Sequence, residues 1–212
     1  NKQAFVDSIL GGLSVPAGQP AARAVNGYNP DVGAYPYDPD KARQLLAEAG
    51  YGNGLKLEAE AVVTVAERRE IYSQVALDAA EVGVEITLNE MTLPDLIGKV
   101  RDSTKMPALF GFNYGSEPTM DVMRSINALH SCNTGTKWTC FPEIEATIKA
   151  ANEEFDEVKR RNMLKEINKH YHDQASAIFL YEEVQIDAVS NKVKGYAPTN
   201  RVINWHDLSV DG

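Results

Sequence analysis

The order of strand-like and helix-like segments between Leu55 and Phe112 limits the possible folds of this chain more than any other feature. The alternating apolar residues of Leu55 to Val63 predict a half-exposed strand. A helix follows, and Val84 to Leu88 predicts a second strand. A short helix then leads into the continuous apolar run Ala108 to Phe112, which predicts a central strand covered on both faces. Short connections between alternating strands and helices predict an α/β fold with right-handed crossovers.

Proline and glycine recur through residues 13–37 without helical or strand periodicity. Such a long irregular stretch is uncommon inside a compact domain, so we expect it to be functional or packed along another surface. Helices are predicted after this stretch. Three helix starts are indicated by pairs of residues that have the spacing of helix N-caps. These pairs are Asp38-Pro39, Thr64 with Glu67, and Thr92 with Asp95.

The second half of the chain predicts three further helices and a return to extended structure. Pro118 suits the first position of a helix that runs to Leu129, and two more helices are predicted over Pro142 to Asn152 and Asp156 to Gln174. Ala177 to Leu180 predicts a buried strand, and Val184 to Val189 predicts another extended run. The inward-facing helical positions are expected to be Ile144, Ile148, Leu164, Ile167 and Tyr171.

The composition argues against two classes of partner. The 30 acidic and 21 basic residues give a net charge of -9, and no Lys/Arg-rich run occurs. Nucleic acid and anionic membrane surfaces are therefore disfavoured.

No apolar run approaches the roughly 18 residues of a membrane-spanning helix. Asn1 is not a start methionine and the first residues predict a helix entered part-way, so we expect a fragment or a processed form.

Cys132 and Cys140 lie eight positions apart in a polar, Gly-containing stretch that predicts a surface loop. One interpretation is a disulfide, which would stabilise the fold by roughly 2–3 kcal/mol and imply an oxidising compartment. The other is a pair of unrelated free thiols. Zinc is disfavoured, because His130 is the nearest histidine and no CxxC or HxxxH spacing is present.

Polar residues begin abruptly after the predicted central strand. Ligands of open α/β sheets sit at the carboxyl ends of such strands, so this stretch is the candidate ligand-binding site. The alternative is an ordinary polar loop leaving a buried strand. The candidate residues here are Asn113, Tyr114, Gly115 and Glu117.

Arg68 and Arg69 form a second candidate, because they lie near a helix N-terminus, where their charge opposes the helix dipole. They could contact an anion there, or they could simply be exposed to solvent.

The chain carries no recognisable catalytic or metal-binding pattern. His170 and His172 are two positions apart on a predicted helix, so they point to different faces and cannot jointly bind a metal. Glu182 and Glu183 are adjacent and therefore diverge, which favours a solvated face over an acid–base pair. No nucleophile-elbow, phosphate-loop or zinc-protease motif occurs. We therefore expect neither an enzyme nor a cofactor.

Four stretches resemble segments of one protein family, and the second of them is highly specific to it. They are NKQAFVDSILGGLSVPA, YPYDPDKARQLLAEAGY, YSQVALDAAEVGVEITL and QASAIFLYEEVQIDAVSNKVKGYAP. The second is similar to the signature YxxDPxKAxxLLxEAGY of the family 5 extracytoplasmic solute-binding proteins of ABC transporters, which bind dipeptides, oligopeptides or nickel. The other stretches, and the ending NWHDLSV, also resemble the C-terminal lobe of this family. The cysteine loop most resembles the dipeptide-binding branch, where a short disulfide loop lies at this place.

The resemblance implies a type II periplasmic-binding-protein-like lobe, with a central, mixed, mostly parallel sheet flanked by helices. Residues 1–190 would form the C-terminal ligand-binding lobe, and residues 191–212 would be a tail that returns to an N-terminal lobe missing from this chain. The implied function is capture of a peptide or peptide-like solute between two lobes in the periplasm, followed by delivery to an ABC permease. A regulatory sensor lobe and a small α/β enzyme are the alternatives.

The family commonly holds the ammonium group of a bound peptide with an acidic residue at the end of the central strand. Asn113 or Tyr114 matches that position here, and neither is charged. Some dipeptide binders hold the ligand carboxylate with an arginine that matches Arg68 or Arg69. The resemblance therefore implies that the ligand end facing this lobe is neutral, or anionic if one of these arginines reaches the cleft.

Overall fold

The computed structural model describes residues 1–100, 105–200 and 202–211. Its helices are α1 (Lys2–Ser8), α2 (Pro39–Glu48), α3 (Ala66–Ala80), α4 (Leu93–Val100), α5 (Met123–Ser125), α6 (Glu145–Glu153) and α7 (Glu157–Asp173). The strands are β1 (Leu55–Val62), β2 (Val84–Met91), β3 (Leu109–Gly111), β4 (Val193–Lys194) and β5 (Ser209–Val210). Within these ranges, no helix is long and apolar enough to cross a bilayer.

Strands β1, β2 and β3 form a parallel sheet in the order β2-β1-β3, as the alternation of strands and helices predicts. The prediction that Ala108 to Phe112 forms the central strand is wrong, because β1 is central and β3 lies at the edge. The residues of β3 are half-buried. Its apolar character is explained by aromatic rings rather than by a further strand: the ring of Tyr72 covers Gly111, and Trp138 packs on Phe110.

Two of the three predicted helix starts are confirmed. The Asp38 carboxylate accepts a hydrogen bond from the Lys41 amide at 2.9 Å, and the Thr92 and Asp95 side chains cap α4 reciprocally. The predicted capping box of Thr64 is wrong, because α3 begins after Val65 without a side-chain cap.

The predicted helix from Pro118 also begins later than expected. The Met120 carbonyl and the Val122 amide instead pair with the backbone of Asn26, so these two groups are not available for helical hydrogen bonds. Asp121 then accepts a hydrogen bond from the Met123 amide at 2.9 Å, and α5 starts at Met123. The helix continues as a π-helix over Ile126–His130.

The main core lies between α5, the π-helix, α6 and α7. The apolar positions predicted for α6 and α7 are confirmed, although Ile144 belongs to a short 3₁₀-helix that precedes α6. Each of them is at most 5% exposed: Ile144, Ile148, Leu164, Ile167 and Tyr171. Val122 and Ile126 are fully buried against this group.

The long loop over residues 13–37 packs against α7, which is one of the two outcomes expected for it. Asn168 is fully buried, and its side chain accepts a hydrogen bond from the Ala21 amide and donates to the Gly27 carbonyl. Gln19 donates to the carbonyls of Asn29 and Val32, at 2.8 Å each. These side-chain amides replace the backbone pairing that the loop lacks.

The segment over residues 177–189 contradicts the predicted buried strand. Within the described part of the chain, Tyr181 is the one residue of this segment that forms a β-bridge, with Pro16, and Ile178 is 55% exposed. The segment is held to the loop by hydrogen bonds from the Ala17 amide and to the Val15 carbonyl. Ile178 faces solvent, whereas Leu180 and Tyr181 of the same segment are partly buried against Phe5 and Ile71.

Cys132 and Cys140 form a disulfide with Cα atoms 4.9 Å apart, so the bonded alternative is confirmed. The enclosed loop is anchored by Glu145 at the start of α6. The carboxylate of Glu145 accepts hydrogen bonds from the Ser131 hydroxyl at 2.9 Å and the Cys132 amide at 2.6 Å. The first end of the loop is therefore attached to the start of α6, and the disulfide joins the second end to the first.

Candidate functional site

Three segments that are distant in sequence meet at the carboxyl end of β3. Glu183, on the 177–189 segment, accepts hydrogen bonds from Arg68 of α3 and from Asn113, which follows β3 by two residues. The Arg68 Nη2 to Glu183 Oε1 distance is 2.7 Å, and the Asn113 amide contacts the other carboxylate oxygen. One carboxylate thus bridges two of the residues predicted for the site.

Strand periodicity explains why Asn113 faces α3. Alternate residues of a strand share a face, so Asn113 lies on the same side as Gly111. A Cβ on Gly111 would lie 2.8 Å from the Tyr72 ring, which shows how closely α3 approaches this face. Arg68 is one helical turn before Tyr72, and the two side chains therefore project toward the same strand end.

The Arg68 guanidinium is the most enclosed charge of the site. Its side chain is 15% exposed, and Nη1 donates to the Thr64 hydroxyl at 2.7 Å. Burial disfavours its charged form, but the hydrogen bond and negative charge of Glu183, together with Tyr181, outweigh that effect and raise the pKa of Arg68. The residue is therefore a permanent cation that already has an anionic partner.

Arg69 lies apart from this group. Its guanidinium makes a bidentate contact with Glu90 near the end of β2, and both side chains are substantially exposed. Adjacent helical residues point in directions about 100° apart, which sends Arg68 toward β3 and Arg69 toward β2. The structure therefore brings only one of the two predicted arginines to Asn113.

Tyr114, Gly115 and Glu117 form the loop beyond Asn113. The Arg124 guanidinium lies 4.6 Å from the centroid of the Tyr114 ring and donates to the Gly115 carbonyl. The Glu117 carboxylate lies against Gly115 so closely that a Cβ there would be 2.0 Å from Oε2. A larger residue at position 115 would move the flexible Glu117 carboxylate away from its present position.

Aromatic rings line the opposite face of β3. Trp138 of the disulfide loop lies edge-on to Phe110 and Phe112, with ring centroids 4.7 and 5.0 Å away. Phe112 in turn meets the Tyr114 ring at 6.2 Å. The disulfide loop thus places an indole beside the candidate site.

Sequence reasoning missed Glu183 and Trp138 as site residues. Glu183 was interpreted as part of a solvated face, and no spacing rule connects it with Asn113, 70 positions earlier. Trp138 sits inside the disulfide loop, whose return toward β3 has no periodic signal. Among the described residues, no group of three or more His, Cys, Asp or Glu side chains could hold a metal ion.

The sequence model of the family described as "Bacterial extracellular solute-binding proteins, family 5 Middle" matches residues 1–136, which is more than half of the 212 residues. The chain belongs to this family. The family inferred from the sequence motifs is therefore confirmed, and its members are solute-binding proteins.

Two curated relatives illustrate the similarity of this family 5 chain to other binding proteins. It is 27% identical over 203 residues to the dipeptide-binding protein of Escherichia coli, covering 92% of this chain and 38% of the relative. It is 24% identical over 218 residues to heme-binding protein A of Haemophilus influenzae, covering 100% and 40%. The chain thus spans about two fifths of the length of these relatives.

Solved structures show the same fold. HbpA2 from Haemophilus parasuis superposes with a TM-score of 0.80 at 22% identity, over 100% of this chain and 43% of that one. DppA from Helicobacter pylori, solved in complex with the peptide STSA, superposes with a TM-score of 0.75 at 18% identity, over 100% and 42%. The predicted periplasmic-binding-protein lobe with a parallel sheet flanked by helices is therefore confirmed.

Proposed function

We propose that this chain is one lobe of the substrate-binding component of an ABC importer. In this role the complete protein captures a peptide-like or other small solute between two lobes and delivers it to a membrane permease. The observation that carries the proposal is family membership, combined with sequence similarity to dipeptide- and heme-binding proteins and with a fold that matches binding proteins solved with a nickel complex and with a peptide.

The mechanism of such a lobe is ligand-driven closure rather than chemistry. A ligand that contacts both lobes stabilises the closed state by its differential affinity for that state, and the hinge converts binding into a shape that a permease can distinguish. The contacts at the carboxyl end of β3 support this role, because ligands of α/β sheets bind at such strand ends. The proposed cleft wall consists of Arg68, Asn113, Tyr114, Gly115 and Glu117, with Arg69 at its rim.

The proposal includes a division of the chain and a location. Residues 1–190 form the C-terminal ligand-binding lobe, and residues 191–212 form a tail that returns to the N-terminal lobe. The short β4–β5 pair and the 74% exposed Trp205 support a tail with little packing of its own on this lobe. The family description as extracellular and the Cys132–Cys140 disulfide support a periplasmic location.

One lobe offers a single wall, whereas small-molecule pockets bury roughly 70–90% of the ligand surface. We therefore expect the isolated chain to fold but to bind solute weakly or not at all. The full-length receptor is expected to bind tightly and to become more compact when it does.

The test uses the full-length receptor that contains this chain. Small molecules extracted from the purified receptor are identified by mass spectrometry, and each is titrated back by calorimetry while small-angle scattering follows the radius of gyration. Tight binding with a decrease in radius is the expected result. A receptor that binds no small solute and never compacts would refute the proposal, and micromolar binding by the isolated chain would refute the single-wall argument.

A further inference from the structure

We infer that the Cys132–Cys140 disulfide is a positioning element of the proposed cleft. It fixes the loop that holds the Trp138 indole on Phe112, and Phe112 in turn positions Tyr114. The inference rests on the proposed function, because Tyr114 belongs to the cleft wall named there. It gives the disulfide a role at the site in addition to its contribution to stability.

The first argument is a continuous row of aromatic rings between the disulfide loop and the cleft wall. Trp138 lies edge-on to Phe110 and Phe112, with ring centroids 4.7 and 5.0 Å away. The Phe112 ring meets the Tyr114 ring at 6.2 Å. Residues two positions apart on an extended chain project to the same side, which explains why the three rings form this row. A displacement of the indole is therefore passed to Tyr114 through a single ring.

The second argument is the way in which the indole itself is held. Its ring N–H is buried, and no acceptor among the described residues takes a hydrogen bond from it. The backbone amide of Trp138, in contrast, donates to the Leu129 carbonyl at 2.9 Å. The edge-on ring contacts are weak individually and tolerate rotation of the ring. The position of the indole therefore follows from the backbone of the loop that carries it.

The third argument is the constrained backbone just before Trp138. The Thr136 hydroxyl contacts the carbonyls of Ala128 and Leu129 at 2.9 Å each, at the end of the π-helix, where carbonyls lack intrahelical partners. Lys137 then has a φ of 46°, in the left-handed region that residues other than glycine rarely adopt. Such a conformation persists where the surrounding structure enforces it. The loop is thus held in one shape by contacts on both sides of Lys137.

The disulfide completes this constraint. Cys140 follows Trp138 by two residues and is bonded to Cys132, eight positions earlier. The Cys132 amide donates to the Glu145 carboxylate at 2.6 Å, which attaches that side of the loop to α6. A cross-link over so short a separation restricts the shapes that the loop can adopt. Breaking it leaves the side that carries Trp138 without its covalent connection to the side anchored on α6.

The experiment follows the Tyr114 ring in the full-length receptor that contains this chain. The receptor is labelled with fluorotyrosine, and the fluorine resonance of Tyr114 is assigned with Tyr114→Phe. The double variant Cys132→Ser/Cys140→Ser and the single variant Trp138→Leu are each expected to shift this resonance, because each removes the support of Phe112. The variant that combines all three substitutions is expected to show the shift of Trp138→Leu alone, since the disulfide acts through the indole.

Two controls separate positioning from stability. Ile167→Ala, at a fully buried position of α7, lowers stability by about as much as loss of the disulfide and is expected to leave the Tyr114 resonance in place. Trp205→Leu removes the other tryptophan of this chain, which is 74% exposed and lies outside the loop, and should also have no effect. Reducing the folded, unmodified receptor with a phosphine converts the disulfide to two thiols as the phosphine becomes its oxide. This treatment should reproduce the shift of the double serine variant.

A Tyr114 resonance that stays in place after loss of the disulfide or of the indole would overturn the inference. Shifts that add in the combined variant would also overturn it, because the disulfide and the indole would then act independently. An equal shift in Ile167→Ala would assign the effect to lost stability instead. A receptor that binds no small solute would refute the proposed function without moving these resonances, so the two failures are distinguishable.

Discussion

The loop over residues 13–37 and the segment over residues 177–189 both lack helices and multi-residue strands, yet they differ in how they are held. The loop contains buried residues such as Ala21, and the buried amides of Gln19 and Asn168 bond its backbone. The segment is the more apolar of the two, yet Ile178 and Ile186 are 55% and 71% exposed. Burial here follows the presence of a complementary surface, because an apolar side chain without one stays in solvent.

The largest expected effect is the loss of the amide that holds the loop. Asn168→Ala leaves the Ala21 amide and the Gly27 carbonyl without their side-chain partner in a fully buried position. Each orphaned group costs roughly 1–3 kcal/mol, so we expect the free energy of unfolding to fall by about 4 kcal/mol. Urea denaturation of the chain measures this change.

Asn127→Ala provides the comparison, because Asn127 is exposed and pairs with the exposed Asn152. It should change the free energy of unfolding by less than about 0.5 kcal/mol. Equal losses in the two variants would show that the loop does not depend on Asn168.

A smaller effect is expected on the pH dependence of stability, and it comes from the buried residue His130. His130 connects the π-helix to the disulfide loop through a 2.6 Å contact with Thr139, and burial lowers its pKa to about 4 from 6.5. Between these two values the unfolded chain binds a proton that the folded chain does not. The contribution of His130 to the free energy of unfolding is fully present above about pH 6.5. It decreases by on the order of 3 kcal/mol as the pH falls toward 4.

His130→Asn should flatten the stability profile between pH 6.5 and 4, although its stability at pH 7 will be lower because the ring contact with Tyr171 is lost. His206→Asn is the control, because that side chain is 80% exposed. Denaturation curves at several pH values provide the data. Stability profiles of equal slope for the His130 variant and the unmodified chain would show that His130 does not cause the loss of stability at low pH.

The smallest effect is expected in the exposed segment over residues 177–189. Ile186→Ser should change the free energy of unfolding of the isolated chain by less than about 0.5 kcal/mol, whereas Ile167→Ser, at a fully buried position, should cost several kcal/mol. In the full-length receptor the same Ile186→Ser should become costly if the N-terminal lobe covers the segment. An equally small effect in both proteins would show that the N-terminal lobe does not cover Ile186.

Local signals were reliable where one short stretch decides the outcome. The caps at Asp38 and Thr92, the alternation of β1 and the inward face of α7 follow from neighbouring residues alone. The order of strands in the sheet does not follow from neighbouring residues. The apolar run of β3 is compatible with a central strand, and it is equally compatible with an edge strand covered by Tyr72 and Trp138.

The candidate site likewise depends on contacts between distant segments. Arg68 and Asn113 are predicted from the sequence because each lies at the end of a helix or strand. Glu183 joins them only in three dimensions, 115 positions after Arg68. Pairing across such a separation is determined by the packing of the whole lobe, so the contact of Glu183 with Arg68 and Asn113 could not be predicted from the residues around position 113 alone.

The hydrogen bonds of Asn168 also have a consequence for biosynthesis. They join the helix α7 to Ala21 and Gly27, which lie 147 and 141 positions earlier. At the roughly 5–20 residues per second of translation, the loop is made roughly 7 to 30 s before its partner helix exists. Throughout that interval it is an unanchored nascent segment, open to chaperones and proteases, and its folding must wait until α7 has been made.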